Sequence, residues 1–292
     1  MIYLESFHMP SRGEEERYMD PQANPIHRRT CYSTKYPFRV FPMRGLPEAW
    51  QFAPVTIFYG GNGSGKSTIL NVIAEALGVE RGAVYNRSDF FEDYVQLCRA
   101  ELARGKPIPQ GSRIITSDDV FDYLLDIRSI NQGIDQERVV LFDKWLRDRY
   151  EPYQLQSLDD YEEFKRRTDA KTKSQSQFVR ERLMRNVTER SNGESALLYF
   201  TDSIRENALY LLDEPENSLS AARQLELKEF LEQSARFFGC QFIIATHSPL
   251  LLSLDGAKIY DLDENPVEVR DWWNLETVRL YQQFFETHKA LF

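Results

Sequence analysis

The chain has 292 residues, 42% of them hydrophobic, enough for one large or two small domains around a sizeable core. A net charge of −9 excludes an overall affinity for nucleic acid or anionic membrane, and no apolar run approaches the ~20 residues that span a bilayer. Cys31, Cys98 and Cys240 are odd in number, widely spaced and free of metal-binding spacing, so they read as thiols of a reducing compartment. MIYLESFHMPSRGEEERYMD lacks the basic-then-apolar order of a signal peptide, so the expectation is a soluble, cytoplasmic protein without a membrane partner.

In chain order, residues 2–8 (IYLESFH) and 38–41 (FRVF) have strand composition. The segment between them, rich in Pro and charge, predicts an exposed loop. Val55 to Tyr59 predicts a strand, and Ile69, Leu70, Ile73, Ala76 and Leu77 recur at helical spacing just after it. RIIT (113–116) predicts a buried strand. A helix follows, with Ser117 as its N-cap and acids in the first turn. Residues 134–190 are helical in composition and highly charged, with a polar break at 171–177. Beyond them lie a helix (ALLYFTDSIREN), an apolar strand (ALYLLD) and a helix with Leu225, Leu227, Phe230, Leu231 and Phe237 as its apolar positions. A second apolar strand (QFIIA), paired strands in KIYDLDENPVEV and an amphipathic C-terminal helix complete the chain. Alternating strands and helices predict an α/β fold, with a mainly parallel sheet covered by helices.

Between the strand at 55–59 and its helix stands GGNGSGKS, which fits the phosphate-binding pattern G-x-x-x-x-G-K-[ST]. Gly60, Gly61, Asn62, Gly63, Ser64 and Gly65 would turn successive N–H groups toward phosphate oxygens, and the helix start at Lys66, Ser67 and Thr68 adds partial positive charge. Lys66 would neutralise the β- and γ-phosphates, and the Ser67 hydroxyl would hold Mg²⁺.

The strand ALYLLD ends in the adjacent acids Asp213 and Glu214. A buried strand has no packing reason to end in two carboxylates. Asp213 is therefore assigned to the metal, directly or through water, and Glu214 to polarising the attacking water. QFIIATHSP ends likewise in polar residues, and a parallel sheet would place it beside the acidic strand. His247 then reads as a γ-phosphate sensor at the edge where α/β sheets bind ligands.

Taken in order, GGNGSGKST, SNGES (191–195), YLLDEPENSLS and IIATHSP resemble the ATP-binding-cassette class of ATPases over about residues 50 to 260. The likeness is to its soluble branch of DNA-repair, chromosome-organising and phage-defence ATPases, often labelled AAA family ATPases. The resemblance implies a P-loop NTPase fold with an N-terminal antiparallel β element and a helical signature subdomain at about 118–208, all within one domain spanning 1–292. It implies that Ser191, Gly193 and Glu194, with Asn192 replacing the family's first glycine, cap ATP held by a second copy in a head-to-tail dimer. Residues 216–220 would be the D-loop. Ser191 and Glu194 equally fit a helix capping box, S-x-x-E. No glutamine follows the 113–116 strand where the class has one. Ser117, Asp118 or Asp119 stands there, and Gln132 is the alternative. Tyr36 and Phe38 are candidates for stacking on adenine or for packing the sheet.

Residues 164–190 carry nine Lys/Arg against three Asp/Glu, so they offer either a track for nucleic-acid phosphates or a solvated helix face. In the C-terminal helix, Leu275, Val278, Tyr281, Phe285 and Leu291 predict packing onto the chain's own sheet, anchored by Trp272 and Trp273, with docking of a partner as the alternative. The reading is an ATPase, with ATP and Mg²⁺, that dimerises on ATP and works with a separate effector such as a nuclease. A transporter ATPase subunit and an ATP-dependent scaffold with little turnover are the alternatives.

Overall fold

The computed structural model describes residues 1–20, 34–41, 45–151, 161–186 and 191–291, residue 161 by its backbone alone. Two compact units result. One combines Met1–Val120 with Asn192–Phe292, and the other is Phe121–Ser191.

The first unit holds a seven-stranded sheet in the order β10-β9-β3-β8-β7-β6-β4. Its strands are β3 (Val55–Tyr59), β4 (Glu80–Arg81), β6 (Arg113–Thr116), β7 (Leu209–Asp213), β8 (Gln241–Ala245), β9 (Lys258–Asp261) and β10 (Glu268–Val269). All pairings are parallel except that of β10 with β9. In β3 and β8 every residue is buried, as continuous apolar runs in a sheet covered on both faces require. A three-stranded antiparallel sheet, β2-β1-β5, uses β1 (Leu4–His8), β2 (Trp50–Gln51) and β5 (Arg99–Leu102). One apolar cluster unites Leu4, Phe7 and Trp50 of this sheet with Phe58, Leu211 and Ile243 of the larger one, through Ile69, Leu70, Val72 and Ile73 of α2 (Lys66–Leu77). The buried Gln241 side chain accepts from the N–H groups of Tyr3 and Leu4 at 2.8 and 2.9 Å and donates to the Leu4 carbonyl, so a polar residue in β8 ties β1 to it.

Several expectations need correction. Residues 38–41 are not a strand. They lie in and just after a turn in which the Val40 N–H donates to the Pro37 carbonyl at 3.2 Å, and Phe38 and Phe41 are buried as packing residues. The sheet instead uses β5, whose polar, mostly exposed RAEL carries no strand pattern. The expected loop contains helix α1 (Arg12–Met19), started by a capping box between Ser11 and Glu14. The rest of it, at 21–30, lies outside the described residues, as does Cys31. Ser117 is not the cap of α4 (Ser117–Tyr150). Thr116 is: its hydroxyl accepts from the Asp119 N–H at 3.3 Å, and the Asp119 carboxylate accepts from the Thr116 N–H at 2.7 Å. In α8 (Ala221–Phe237), Leu227 and Leu231 are buried, but Leu225 and Phe237 face solvent.

The C-terminal helix, α10 (Glu276–Thr287), overturns its expected packing. Leu275 is buried before it, and the Thr277 side chain lies 2.7 Å from the Tyr59 hydroxyl. Leu280, Tyr281, Phe284 and Phe285 are nevertheless exposed, as is Trp273, so Trp273 is no anchor.

The second unit runs along most of α4 and packs α5 (Tyr161–Thr172) and α6 (Gln175–Arg180) around Trp145, Ala170, Phe178 and Val179. Asp148 is buried and paired with Arg166 at 2.5 Å and Arg167 at 3.8 Å. Asp169 meets Lys173 at 3.3 Å and Arg182 at 2.6 Å.

Candidate active site

The carboxyl ends of β3, β8 and β7 open on one edge. The parallel register sets Phe58 beside Ala245 and Ala245 beside Asp213, with Thr116 of β6 next in line. The strand order therefore places the His247 strand between the other two, adjacent to the acidic strand.

After Tyr59 the chain turns through residues 60–65. Ser64 donates its N–H to the Gly61 carbonyl at 3.2 Å, and Gly63 and Gly65 take left-handed φ values of 79° and 99°. Gly65 has a second reason to be glycine: a β-carbon there would lie 2.2 Å from Phe41 Cε1. Asn62 is exposed and Ser64 buried. The Gly61 N–H donates to Asp263 Oδ2 at 2.8 Å, so the turn between β9 and β10 braces the loop. Thr68 accepts a hydrogen bond from the Tyr36 hydroxyl at 3.1 Å.

Lys66 is 5% exposed, and Nζ donates to the carbonyls of Gly60 and Gly61 at 2.8 and 3.1 Å. The loop thus turns its own carbonyls inward to orient its cation. Nζ also stands 3.9 Å from Glu214 Oε1. The Ser67 hydroxyl donates to Asp213 Oδ1 at 3.0 Å. Burial pushes the Asp213 carboxyl up to about 6, with Glu214 adding to the rise and the Ser67 bond opposing it. A hydroxyl beside a carboxylate that is costly to ionise is a donor set suited to a hard divalent cation, which keeps most of its shell for water and phosphate oxygens. Among the described residues no group of three or more His, Cys, Asp or Glu forms a metal cage.

Glu214 is a non-glycine residue at φ 48°, in the sparsely populated left-handed region. Its N–H is fixed to the Ala245 carbonyl at 2.8 Å, and its side chain turns toward Lys66 and His247. Oε1 lies 3.8 Å from His247 Nδ1, and Oε2 accepts from Asn217 at 3.1 Å. One edge therefore gathers Lys66, Ser67, Asp213, Glu214 and His247.

Ser191 ends the second unit, and α7 (Asn192–Ser203) starts directly after it. Gly193 sits beside the Ser218 carbonyl, 3.4 Å from where its β-carbon would be, and Glu194 pairs with Arg223 of α8 at 3.0 Å.

Of the residues proposed to replace the missing glutamine, Asp119 is committed elsewhere. Besides capping α4, it accepts from the Ala83 N–H at 2.7 Å. Phe38 is buried, stacked on Tyr18 and edge-on to Tyr94, so its ring packs the core. Phe41 and Asp263 were not foreseen at the loop, and Glu216, read as the first residue of a D-loop, was not foreseen as a partner of the histidine strand. Only Glu216 left a trace in the sequence, as the third acid of DEPE; the approaches of Phe41 and Asp263 to the loop depend on tertiary contacts.

Residues 123–253 match the AAA_21 family, described as "AAA domain, putative AbiEii toxin, Type IV TA system". That span includes Asp213, Glu214 and His247, whereas the loop at 60–68 lies before it. A search of curated proteins finds no match. Similar solved structures include the Smc head domain of Pyrococcus furiosus with an extended coiled coil, bound to the C-terminal domain of ScpA (14% identity, 99% of this chain and 100% of that one, TM-score 0.42). The SMC head domain of Thermotoga maritima gives 13% identity, coverages of 92% and 99% and a TM-score of 0.38. A dimeric ATP-binding cassette bound to ADP and Pi gives 14%, 76% and 88%, and 0.34. Residues 123–253 therefore resemble an AAA domain, and in this chain a phosphate-binding loop, an acidic strand end and a histidine share one sheet edge.

Proposed function

We propose that the edge binds Mg-ATP in the loop at 60–68 and hydrolyses it, and that the whole chain works as one ATPase domain with Phe121–Ser191 as its helical lobe. The observation that carries this reading is the convergence of Lys66, Ser67, Asp213, Glu214 and His247, with Ser67 Oγ 3.0 Å from Asp213 and Glu214 Oε1 within 3.9 Å of both Lys66 and His247. Backbone N–H groups of the loop and Lys66 bind the phosphates. Ser67 and Asp213 would hold Mg²⁺, which when bound offsets charge on the β- and γ-phosphate oxygens. Glu214 polarises water for attack on the γ-phosphorus, and His247 contacts the γ-phosphate. Such catalysis consists of positioning and charge stabilisation.

In this reading ATP draws two copies together, with Ser191, Gly193 and Glu194 of one closing over the nucleotide of the other. The coupled work is a DNA-repair or defence task performed with a separate effector, and the matched family's description as a toxin of a type IV system supports the defence branch. The pairing of Arg166, Arg167, Lys173 and Arg182 with acids in their own unit favours a solvated helical face over a nucleic-acid track at 164–190; residues 187–190 lie outside the described residues. Among the described residues no helix is long and apolar enough to cross a membrane.

Glu214→Gln tests the reading. The variant should bind ATP, accumulate as a dimer in light scattering, and lose about 10²–10⁴-fold in kcat, the range for a lost general base. Turnover at the wild-type rate refutes the role of Glu214.

A further inference from the structure

We propose that Glu216 is a positioning residue whose charge orients the His247 ring for hydrolysis; this rests on the reading of the edge just given. Glu216 follows the acidic strand end and is 6% exposed. Its side chain turns across to the end of β8. There Oε1 accepts from Thr246 Oγ1 at 2.6 Å, from the His247 N–H at 3.0 Å and from the Ser248 N–H at 3.2 Å. The last parallel pairing in this part of the sheet is Asp213 with Ala245. Beyond it, the N–H groups of His247 and Ser248 leave the ladder and need an acceptor, which Glu216 supplies.

That backbone duty does not account for the whole side chain. A glutamine carbonyl would accept the same three bonds. Glu216 Oε2 is buried without a hydrogen-bond partner, an arrangement that costs stability and so calls for an explanation beyond folding. His247 Nδ1 stands 3.4 Å from Glu216 Oε1, within reach of the carboxylate's charge. The ring is about half exposed, its side chain 49% accessible, so packing does not hold it. Two carboxylates flank Nδ1, Glu216 at 3.4 Å and Glu214 at 3.8 Å. They favour a proton on Nδ1 and leave Nε2, across the ring, for the γ-phosphate. Glu214 is occupied by the water it polarises, and Glu216 is the carboxylate anchored to the histidine's own backbone. A carboxylate behind a functional histidine commonly sets its tautomer and ring angle.

The test is a double-mutant cycle of Glu216→Gln with His247→Ala, read in steady-state ATP turnover. Glu216→Gln keeps the backbone bonds and should leave Tm and KM near wild type, while kcat falls about tenfold or more. In the His247→Ala background the same change should alter kcat by less than ~2-fold, because the group it orients is gone. Glu216→Ala should show the same pattern with a lower Tm. Wild-type kcat in Glu216→Gln, or equal losses in both backgrounds, overturns the proposal. If His247→Ala alone turns over ATP at the wild-type rate, the reading of the edge falls and the proposal with it. If His247→Ala is slow and Glu216→Gln is not, only the proposal falls.

Discussion

Two regions of this molecule bury charge and treat it in opposite ways. In the second unit, buried Asp148 sits among Arg166 and Arg167, and the part-exposed Asp169 is held below its usual range chiefly by its hydrogen bond to Arg182. At the sheet edge, Lys66 is nearly inaccessible and bonded to backbone carbonyls, with its nearest carboxylate at 3.9 Å, while burial drives the Asp213 carboxyl up to about 6. One region closes its electrostatics within the chain. The other leaves charges incompletely compensated, the condition in which a phosphate and a cation bind strongly. Ion pairing in the second unit is closed on itself; at the sheet edge it is not.

This contrast predicts that the two regions can be broken separately. Phe178→Ala removes the largest fully buried side chain of the second unit's small core and should cost that unit about 3–5 kcal/mol. Hydrogen exchange should rise across 121–191 while ATP affinity changes little; a lost nucleotide site would mean the regions are not independent. Gly65→Ala works the other way. It forces alanine to φ 99° and drives a methyl group into Phe41, for about 2–4 kcal/mol of combined strain and overpacking. ATP binding measured by calorimetry should collapse with exchange across 161–186 unchanged; wild-type affinity would show that the loop tolerates a reshaped entrance. The smallest effect is expected for Phe284→Ser with Phe285→Ser on α10. Both rings are more than half exposed, so unfolding free energy from chemical denaturation should change by no more than about 0.5 kcal/mol per site. A large fall would show that the helix packs after all, as its pattern led one to expect.

Legibility followed the kind of signal. The loop at 60–67, the acids at the end of β7 and the histidine after β8 each carry local chemistry unusual for their position, and parallel pairing of β3, β8 and β7 puts them on one edge. The failures share a different cause. FRVF has strand composition but packs as a turn, because burial of Phe38 and Phe41 satisfies the same apolar side chains without a ladder. RAEL is a strand because β1 offers it an edge, which no local pattern records. The stripe on α10 was read correctly as amphipathic, but periodicity does not say which surface lies opposite.

The sequence by itself determined the phosphate loop, the paired acids, the histidine and the alternation that makes an α/β sheet, since these depend on residue type, spacing and chain order. Only the tertiary structure decided that Asp119 serves as a cap, that Phe41 and Asp263 brace the loop, and that Glu216 reaches across to His247. Those outcomes rest on contacts between residues about 24 to 200 positions apart, or on a choice among acceptors that are equivalent in composition. Burial and distance settle such choices only once the chain has closed on itself.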